Sequence, residues 1–272
     1  MEPGEGVGGR RVIAEGREAV LYDWDDGLVL RLMRSQDAGQ AVADSSAASE
    51  AARSAGVSTP RVVDVIEIDD RPAQILERID GPDLFAHLAA NPLRLPKVAS
   101  TLAAVHVQLH QVVAPAELAS THERLSSRIQ ESDLVPAAVR RRALDALEDL
   151  PVGEVICHGD FHPGNVLLGG AGPVLIDWTG ATRGDPTADF ARTRLMLQVG
   201  ELPPGSPAAI RALAAIGRHT LWKLYDRSYR RARVVEPDLA DHWTIVVAAN
   251  RLTEAIESER PALLDTLHEL TG

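Results

Sequence analysis

Three oxygen-bearing residues, Asp160, Asn165 and Asp177, stand around two short apolar runs in this chain. The sequence reads Cys157-His158-Gly159-Asp160-Phe161-His162-Pro163-Gly164-Asn165, runs on through Val166 to Leu168 and a glycine turn, and returns through Val174 to Ile176 to end at Asp177. A hairpin of that size sets Asn165 beside Asp177, as two oxygen ligands, one neutral and one anionic, for a single hard cation. Asp160 lies on the loop that precedes the hairpin, where a carboxylate on a rigid backbone accepts or orients the proton of a hydroxyl. These are the needs of phosphoryl transfer: an aligned attacking hydroxyl, magnesium on the nucleotide phosphates, and neutralised charge on the transferred group. Singly, Asp, Asn, Pro and Gly are explained by turn formation. Their combination with two apolar strands and a second acidic strand end is what points to chemistry.

His158-Gly159-Asp160-Phe161-His162-Pro163-Gly164-Asn165, then Ile176-Asp177-Trp178, then Gly184-Asp185-Pro186 with Asp189, resemble the aminoglycoside phosphotransferase and choline kinase-like family. The resemblance implies an α+β, bilobal protein kinase-like fold. Its small antiparallel-sheet N-lobe, residues 1–80, would bind nucleotide, and its larger, mainly helical C-lobe, residues 81–272, would carry the catalytic loop and acceptor site. It implies ATP or GTP as co-substrate, Mg2+, and a small-molecule hydroxyl as acceptor. On this resemblance Asp160 is the catalytic base or orienter, and Asn165 and Asp177 are the metal ligands. His162 falls where protein kinases carry a lysine near the transferred phosphate, so it is a candidate for charge stabilisation, against the alternative of a solvated loop histidine. His158 is read as holding the loop by hydrogen bonding. Asp189 sits in the first turn of a helix, where the dipole favours a carboxylate, and the family adds a hydrogen bond back to the catalytic loop. A protein kinase is disfavoured, because Gly159 replaces the arginine that reads a phosphorylated activation loop and no Ala-Pro-Glu follows Asp177.

The elements that must position these groups come in two blocks. Arg11 to Ala14, Ala19 to Trp24 and Leu28 to Met33 read as an antiparallel meander, followed by a helix from about Asp37 to Ser54 that Gly56 terminates, and by strands Arg61 to Ile68 and Ala73 to Leu76. Glu15-Gly16-Arg17-Glu18 is the turn that covers the phosphates; Gly16 permits close backbone approach, while Glu15 and Glu18 are at odds with that role. The kinase-like fold implied by the resemblance needs a cation on the third strand for the α and β phosphates, commonly lysine, and this chain offers Arg31, with a wider fork than lysine. Its helix partner is Glu50 or Asp44. Six helical residues rotate by about 600°, so only one of them faces Arg31, and Glu50 is preferred. Glu77, Arg78 and Ile79 occupy the hinge and are carried over as purine contacts through their backbone. Gly4, Gly6 and Gly9 match G-x-G-x-x-G with no strand before and no helix after, which reads as a flexible tail.

Beyond Gly81 the periodicity is helical. Val98, Leu102, Val105, Leu109 and Val112 mark a buried face. His106 and His110 are spaced i, i+4, but Val107 stands where a zinc protease carries glutamate, so packing beside that face is expected rather than metal binding. Asp185-Pro186 reads as an N-cap with proline at the first helical position, and Gly200 as the end of that helix. Further helices span Ala208 to Arg233 and Leu239 to Leu270, broken near Pro237 and Pro261. Arg227, Arg230, Arg231 and Arg233 form a solvated face paired with acids such as Asp226 and Glu236. Glu254, Glu257 and Glu259 read as solvated surface.

Composition bounds the partners. The chain has 272 residues, 45% apolar, and a formal charge of −11, which argues against nucleic acid, whose phosphates demand a basic face. Residues 1–80 hold 9 Lys/Arg and 16 Asp/Glu, so most of the negative excess lies away from the acceptor half. A single cysteine, Cys157, excludes an internal disulfide. With no leader pattern and no apolar run of membrane length, a cytoplasmic protein without a membrane partner is expected. The acceptor is left open between an aminoglycoside-like antibiotic and a metabolite alcohol. Oligomeric state is undecided by sequence. The alternative from another class is a catalytically weak nucleotide-binding pseudoenzyme acting as sensor or scaffold.

Overall fold

A computed structural model describes residues 7–25, 27–199 and 208–271. Short Val/Leu-rich runs with turn residues between them form β1 (Val12–Glu15), β2 (Ala19–Asp23) and β3 (Leu28–Met33). Helix α1 (Gly39–Ser54) follows, then β4 (Val62–Ile68) and β5 (Arg71–Glu77). The turn between β4 and β5 is made by Asp69 and Asp70, both at positive φ, 52° and 58°, which is the backbone a tight hairpin requires. The five strands form one antiparallel sheet in the order β1-β2-β3-β5-β4. Strand β3 is thus central, and Arg31 lies in register between Leu21 and Gln74. α1 ends at Ala55, and Gly56 turns the chain at φ 91°.

The rest is mainly helical: α2 (Leu84–Ala90), α3 (Leu95–Leu109), α4 (Thr121–Glu131), α5 (Ala137–Glu148), α6 (Pro186–Val199), α7 (Ala208–Ala232), α8 (Pro237–Leu252) and α9 (Arg260–Thr271). Between α5 and α6 the chain runs through β6 (Val155–Cys157), β7 (Val166–Gly169), β8 (Gly172–Leu175) and β9 (Thr182–Gly184). β7 and β8 form the hairpin that carries Asn165 and Asp177 at its open end, and β6 pairs with β9. Pairing β6 with β9 closes the whole catalytic-type loop region into one compact insert. Asp185 caps α6, its Oδ1 accepting from the Thr187 N–H at 2.7 Å.

The apolar face of α3 is buried along its length: Val98, Leu102, Val105 and Leu109 all pack into the main core, with Val112 just beyond the helix. Emptying a site such as Leu102 would cost about 2–5 kcal/mol. A second core joins α5, α6, α8 and α9 around Trp243. The break between the last two helices falls at residues 253–259, earlier than Pro261, which sits in the first turn of α9. Ala255 carries the bend at φ 56°. Gly4, Gly6 and Gly200 lie outside the described residues. Among the described residues, no helix is long and apolar enough to cross a membrane.

Candidate active site

The loop between β6 and β7 is fixed from beneath by one carboxylate. Asp189, buried in the first turn of α6, accepts the His158 N–H at Oδ2 (2.6 Å) and the Gly159 N–H at Oδ1 (2.8 Å). The same Oδ2 takes His106 Nε2 at 3.1 Å and His110 Nε2 at 3.3 Å. Each of those rings has its Nδ1 2.6 Å from a tyrosine hydroxyl, Tyr225 for His106 and Tyr229 for His110. The carboxylate accepts from both Nε2–H groups, and with the imidazoles neutral the tyrosine hydroxyls donate to Nδ1. Burial drives them there. It pushes His106 down to about 3 and lowers His110 as well. Burial alone would raise Asp189, but its hydrogen bonds from the two histidines outweigh it and hold the carboxyl well below the usual range. The ligand atoms of His106, His110 and Asp189 lie within 4.8 Å of one another, yet all four imidazole nitrogens and both carboxylate oxygens already have hydrogen-bond partners, so this is a hydrogen-bonded support. His106 and His110 therefore do more than pack beside the α3 stripe.

Gly159 is at φ 76°, and a Cβ there would overlap the Gly180 carbonyl oxygen. No side chain fits this position, which gives a steric reason for glycine where protein kinases have arginine. His158 is buried, and its Nε2 donates to the Ile176 carbonyl at 3.0 Å, tying the loop to the residue before Asp177.

Asp160 stands half-buried at the mouth of this loop. Its Oδ2 faces His162 Nε2 at 3.5 Å and its Oδ1 faces Arg192 Nη2 at 3.7 Å. His162 Nδ1 accepts the Gly164 N–H at 3.0 Å, which puts the ring proton on Nε2, toward Asp160. Burial would lift the Asp160 carboxyl, but the His162 hydrogen bond and the Arg192 charge overcome it, and the group is held well below the usual carboxylate range. Asn165, buried, donates from Nδ2 to the Asp160 carbonyl at 2.8 Å and to its Oδ2 at 3.3 Å. Its side-chain oxygen is thereby left for another partner. The Asn165 carbonyl accepts the Ile176 N–H at 2.9 Å, which brings the two ends of the hairpin together. Asp177 lies beyond β8 in the left-handed conformation, φ 60°, a strained backbone for a residue with a Cβ and a frequent mark of functional positions.

Arg31 reaches across the cleft to this end. Its guanidinium donates to Asp177 Oδ1 at 3.1 Å and to the Thr179 hydroxyl, and on its other side to Gln74 Oε1 at 3.2 Å. Gln74 in turn donates to Ser46 Oγ of α1 at 2.8 Å. The expectation of a helix carboxylate is corrected here. Glu50 lies on the exposed face of α1, bound to Arg53 at 2.7 Å and 2.9 Å. Asp44 is buried but turned to Arg124 at 3.4 Å and Gln40 at 2.8 Å. The reason is register: Gln74 is the direct neighbour of Arg31 across the strand pair and screens it from α1. In the turn between β1 and β2, Glu15 is taken up by Arg34 at 3.1 Å, which also donates to the Gly16 carbonyl at 3.0 Å.

At the hinge the Glu77 and Arg78 N–H groups donate to the Arg61 and Gly27 carbonyls at 2.9 and 2.8 Å. Arg78 bridges Asp23 and Asp80, both at 2.8 Å. The cleft between the sheet and the helical body has a volume of about 1260 Å³, and Gly16, Arg31, Asp160, Asp177 and Asp189 line it. Glu50, Glu77, Arg78 and Ile79 lie outside its walls, as do His158, His162 and Asn165, which reach it through Asp160 and the loop they hold. Two lining residues escaped the reading of the sequence. Arg192 is buried one turn after Asp189, and Glu254, read there as solvated, binds Arg192 Nη2 at 2.5 Å. The i, i+3 spacing from Asp189 was the available signal for Arg192; nothing local marked Glu254. Glu259 is likewise buried, paired with Arg251 at 2.7 Å.

An antiparallel sheet set over a helical body, with this loop in the cleft between them, is the bilobal protein kinase-like fold. The chain belongs to the phosphotransferase enzyme family, whose sequence model matches residues 10–227. It is similar to a thermostable mutant of aminoglycoside phosphotransferase APH(4)-Ia, in ternary complex with ADP and hygromycin B, at 19% identity and a TM-score of 0.62 over 96% of this chain and 90% of that one. The amicoumacin kinase hAmiN, in complex with AMP-PNP, Ca2+ and Ami, superposes at a TM-score of 0.64 and 14% identity, over 96% of this chain and 87% of that one. The GDP and kanamycin complex of APH(2")-IIia gives 0.59 and 16%, over 96% and 89%. No curated protein matches the chain.

Proposed function

We propose that this enzyme transfers the γ-phosphoryl group of ATP or GTP to a hydroxyl of a small molecule. The observation that carries the reading is the state of Asp160: a carboxylate in the cleft, held ionised between His162 and Arg192 and braced by Asn165. An acceptor hydroxyl beside Asp160 would be oriented by it and would lose its proton to it as the bond to phosphorus forms. Residues 1–80 would then grip the nucleotide and residues 81–272 the acceptor. Among the described residues Arg31 has one anionic partner, Asp177, and its neutral bond to Gln74 would persist when it turned to the α and β phosphates.

The donor set suits a hard cation. Asn165 has its nitrogen on Asp160 and its oxygen available, and Asp177 has Oδ2 unpartnered among the described residues while Oδ1 serves Arg31 and Thr179. One neutral and one anionic oxygen match magnesium, which keeps several waters and shares phosphate oxygens. Bound by Asn165 and Asp177, Mg2+ would supply charge neutralisation on the nucleotide phosphates. Single-ligand pockets run to about 300–1000 Å³, so the larger cleft supports two occupants, nucleotide and acceptor. An aminoglycoside-like antibiotic and a metabolite alcohol both stay within this reading; two of the similar structures hold hygromycin B with ADP and kanamycin with GDP. The test is mass spectrometry of an antibiotic and metabolite library incubated with the full chain, magnesium and ATP or GTP. A product heavier by one phosphoryl group supports the reading; nucleotide binding without a phosphorylated product of any library member would favour a pseudoenzyme instead.

A further inference from the structure

Glu254 is a carboxylate with more cations than it needs. It binds Arg192 Nη2 and Arg251 Nη1, each at 2.5 Å, and both guanidiniums are about nine-tenths buried. A third guanidinium reaches it from the opposite lobe: Arg17, in the turn between β1 and β2, lies 3.3 Å from Glu254 Oε2 and 3.5 Å from the Glu254 carbonyl. The Arg17 side chain is 66% exposed, so its ion pair is screened by water and weakly held. Glu254 would stay fully matched without it. Where this contact sits matters more than its strength. Arg192, on the same carboxylate, is 3.7 Å from Asp160 Oδ1, so Arg17 rests one carboxylate and one guanidinium away from the group expected to meet the acceptor. Glu15 is taken up by Arg34 and Glu18 is exposed, so Arg17 is the cation that the turn brings to the Glu254 end of the cleft, where terminal phosphate and hydroxyl must meet.

We infer that Arg17 is a ligand for the terminal phosphate of the nucleoside triphosphate, held on Glu254 while the cleft lacks one. This rests on the phosphotransferase reading above and adds a discriminator to it. A triphosphate presents a doubly charged terminal group that competes with Glu254 for Arg17, whereas a diphosphate ends short of it. After transfer the arginine returns to Glu254, and the diphosphate is left without that contact.

The experiment is a calorimetric titration of the full chain, with magnesium, using AMP-PNP and ADP, and GMP-PNP and GDP in parallel. Arg17→Gln, an exposed turn substitution, is expected to weaken triphosphate-analogue binding by about tenfold and diphosphate binding by less than about twofold. Glu254→Gln, with folding checked by circular dichroism, is expected to tighten the analogue relative to the diphosphate, because the competing carboxylate is gone. An analogue-to-diphosphate affinity ratio that Arg17→Gln leaves unchanged overturns the inference and leaves the phosphotransferase reading standing. Failure of the wild type to bind either pair removes both.

Discussion

Arg31 is a buried cation with soft attachments. Gln74 and the Thr179 hydroxyl are neutral, and its one carboxylate partner among the described residues, Asp177, is itself exposed. A cation held by neutral donors and acceptors can shift toward an incoming phosphate without orphaning a buried anion, which a tight ion pair to α1 would do. Gln74→Ala is therefore expected to leave Arg31 under-satisfied, at a cost of about 1–3 kcal/mol in urea unfolding, and to raise the nucleotide KM. Glu50→Gln is expected to change stability by less than about 0.5 kcal/mol and leave that KM alone; an equal rise in both variants would contradict the assignment. Gly159→Ala is a second test at this scale. The positive φ and the Gly180 carbonyl leave no space for a methyl group, so a loss of at least about 2 kcal/mol is expected, with activity falling in parallel. The sequence motif named Asp160, Asn165, Asp177 and His158 within one short run of loop and strand residues, with Asp189 in the helix that follows, and the fold brings these five residues together. The motif could not find the partner of Arg31, since that depends on which residue lies across β5, a register fact.

At the scale of elements, α3, α6 and α7 act together on the catalytic-type loop. Asp189 of α6 grips two loop amides, His106 and His110 of α3 grip Asp189, and Tyr225 and Tyr229 of α7 hold the two rings in one tautomer. Tyr225→Phe removes the donor to His106 Nδ1 and leaves a buried nitrogen without a partner. It is expected to cost about 1–3 kcal/mol in thermal or urea unfolding, with nucleotide affinity little altered; a neutral result would show that the hydroxyl is dispensable. The long helices were readable because their apolar spacing persists over several turns, as in α3. The pairing of β6 with β9 was not, since three residues per strand carry no alternation to read. The i, i+4 histidines were placed on the right face, but periodicity says nothing of hydrogen bonds formed with a helix more than a hundred residues away.

For the whole molecule, the two lobes meet through ion pairs, among them Arg31 with Asp177, Arg17 with Glu254 and Asp44 with Arg124, and through apolar packing of Ala48, Ala52 and Val57 into the main core. Beneath them the buried histidines make the body acid-sensitive. The folded His106 titrates at about 3 against an ordinary 6.5, so between those values the unfolded chain binds a proton that the folded chain does not, and stability falls as pH drops through that window. His110 and His158 shift the same way. Asp189, held low, adds stability that is present above about pH 4 and is lost below it. Urea midpoints should thus be level above about pH 7, decline below about 6.5 and steepen below about 4; a flat profile down to about pH 4 would contradict the neutral-histidine network. The central claim is that Asp160 acts on the acceptor and not on the nucleotide. The most direct measurement compares wild type with Asp160→Ala for magnesium-dependent phosphoryl transfer to the acceptor found in the library, alongside nucleotide affinity. Transfer should fall by about 10²–10⁴-fold with nucleotide affinity kept within a few-fold, and transfer that survives the substitution would contradict the account.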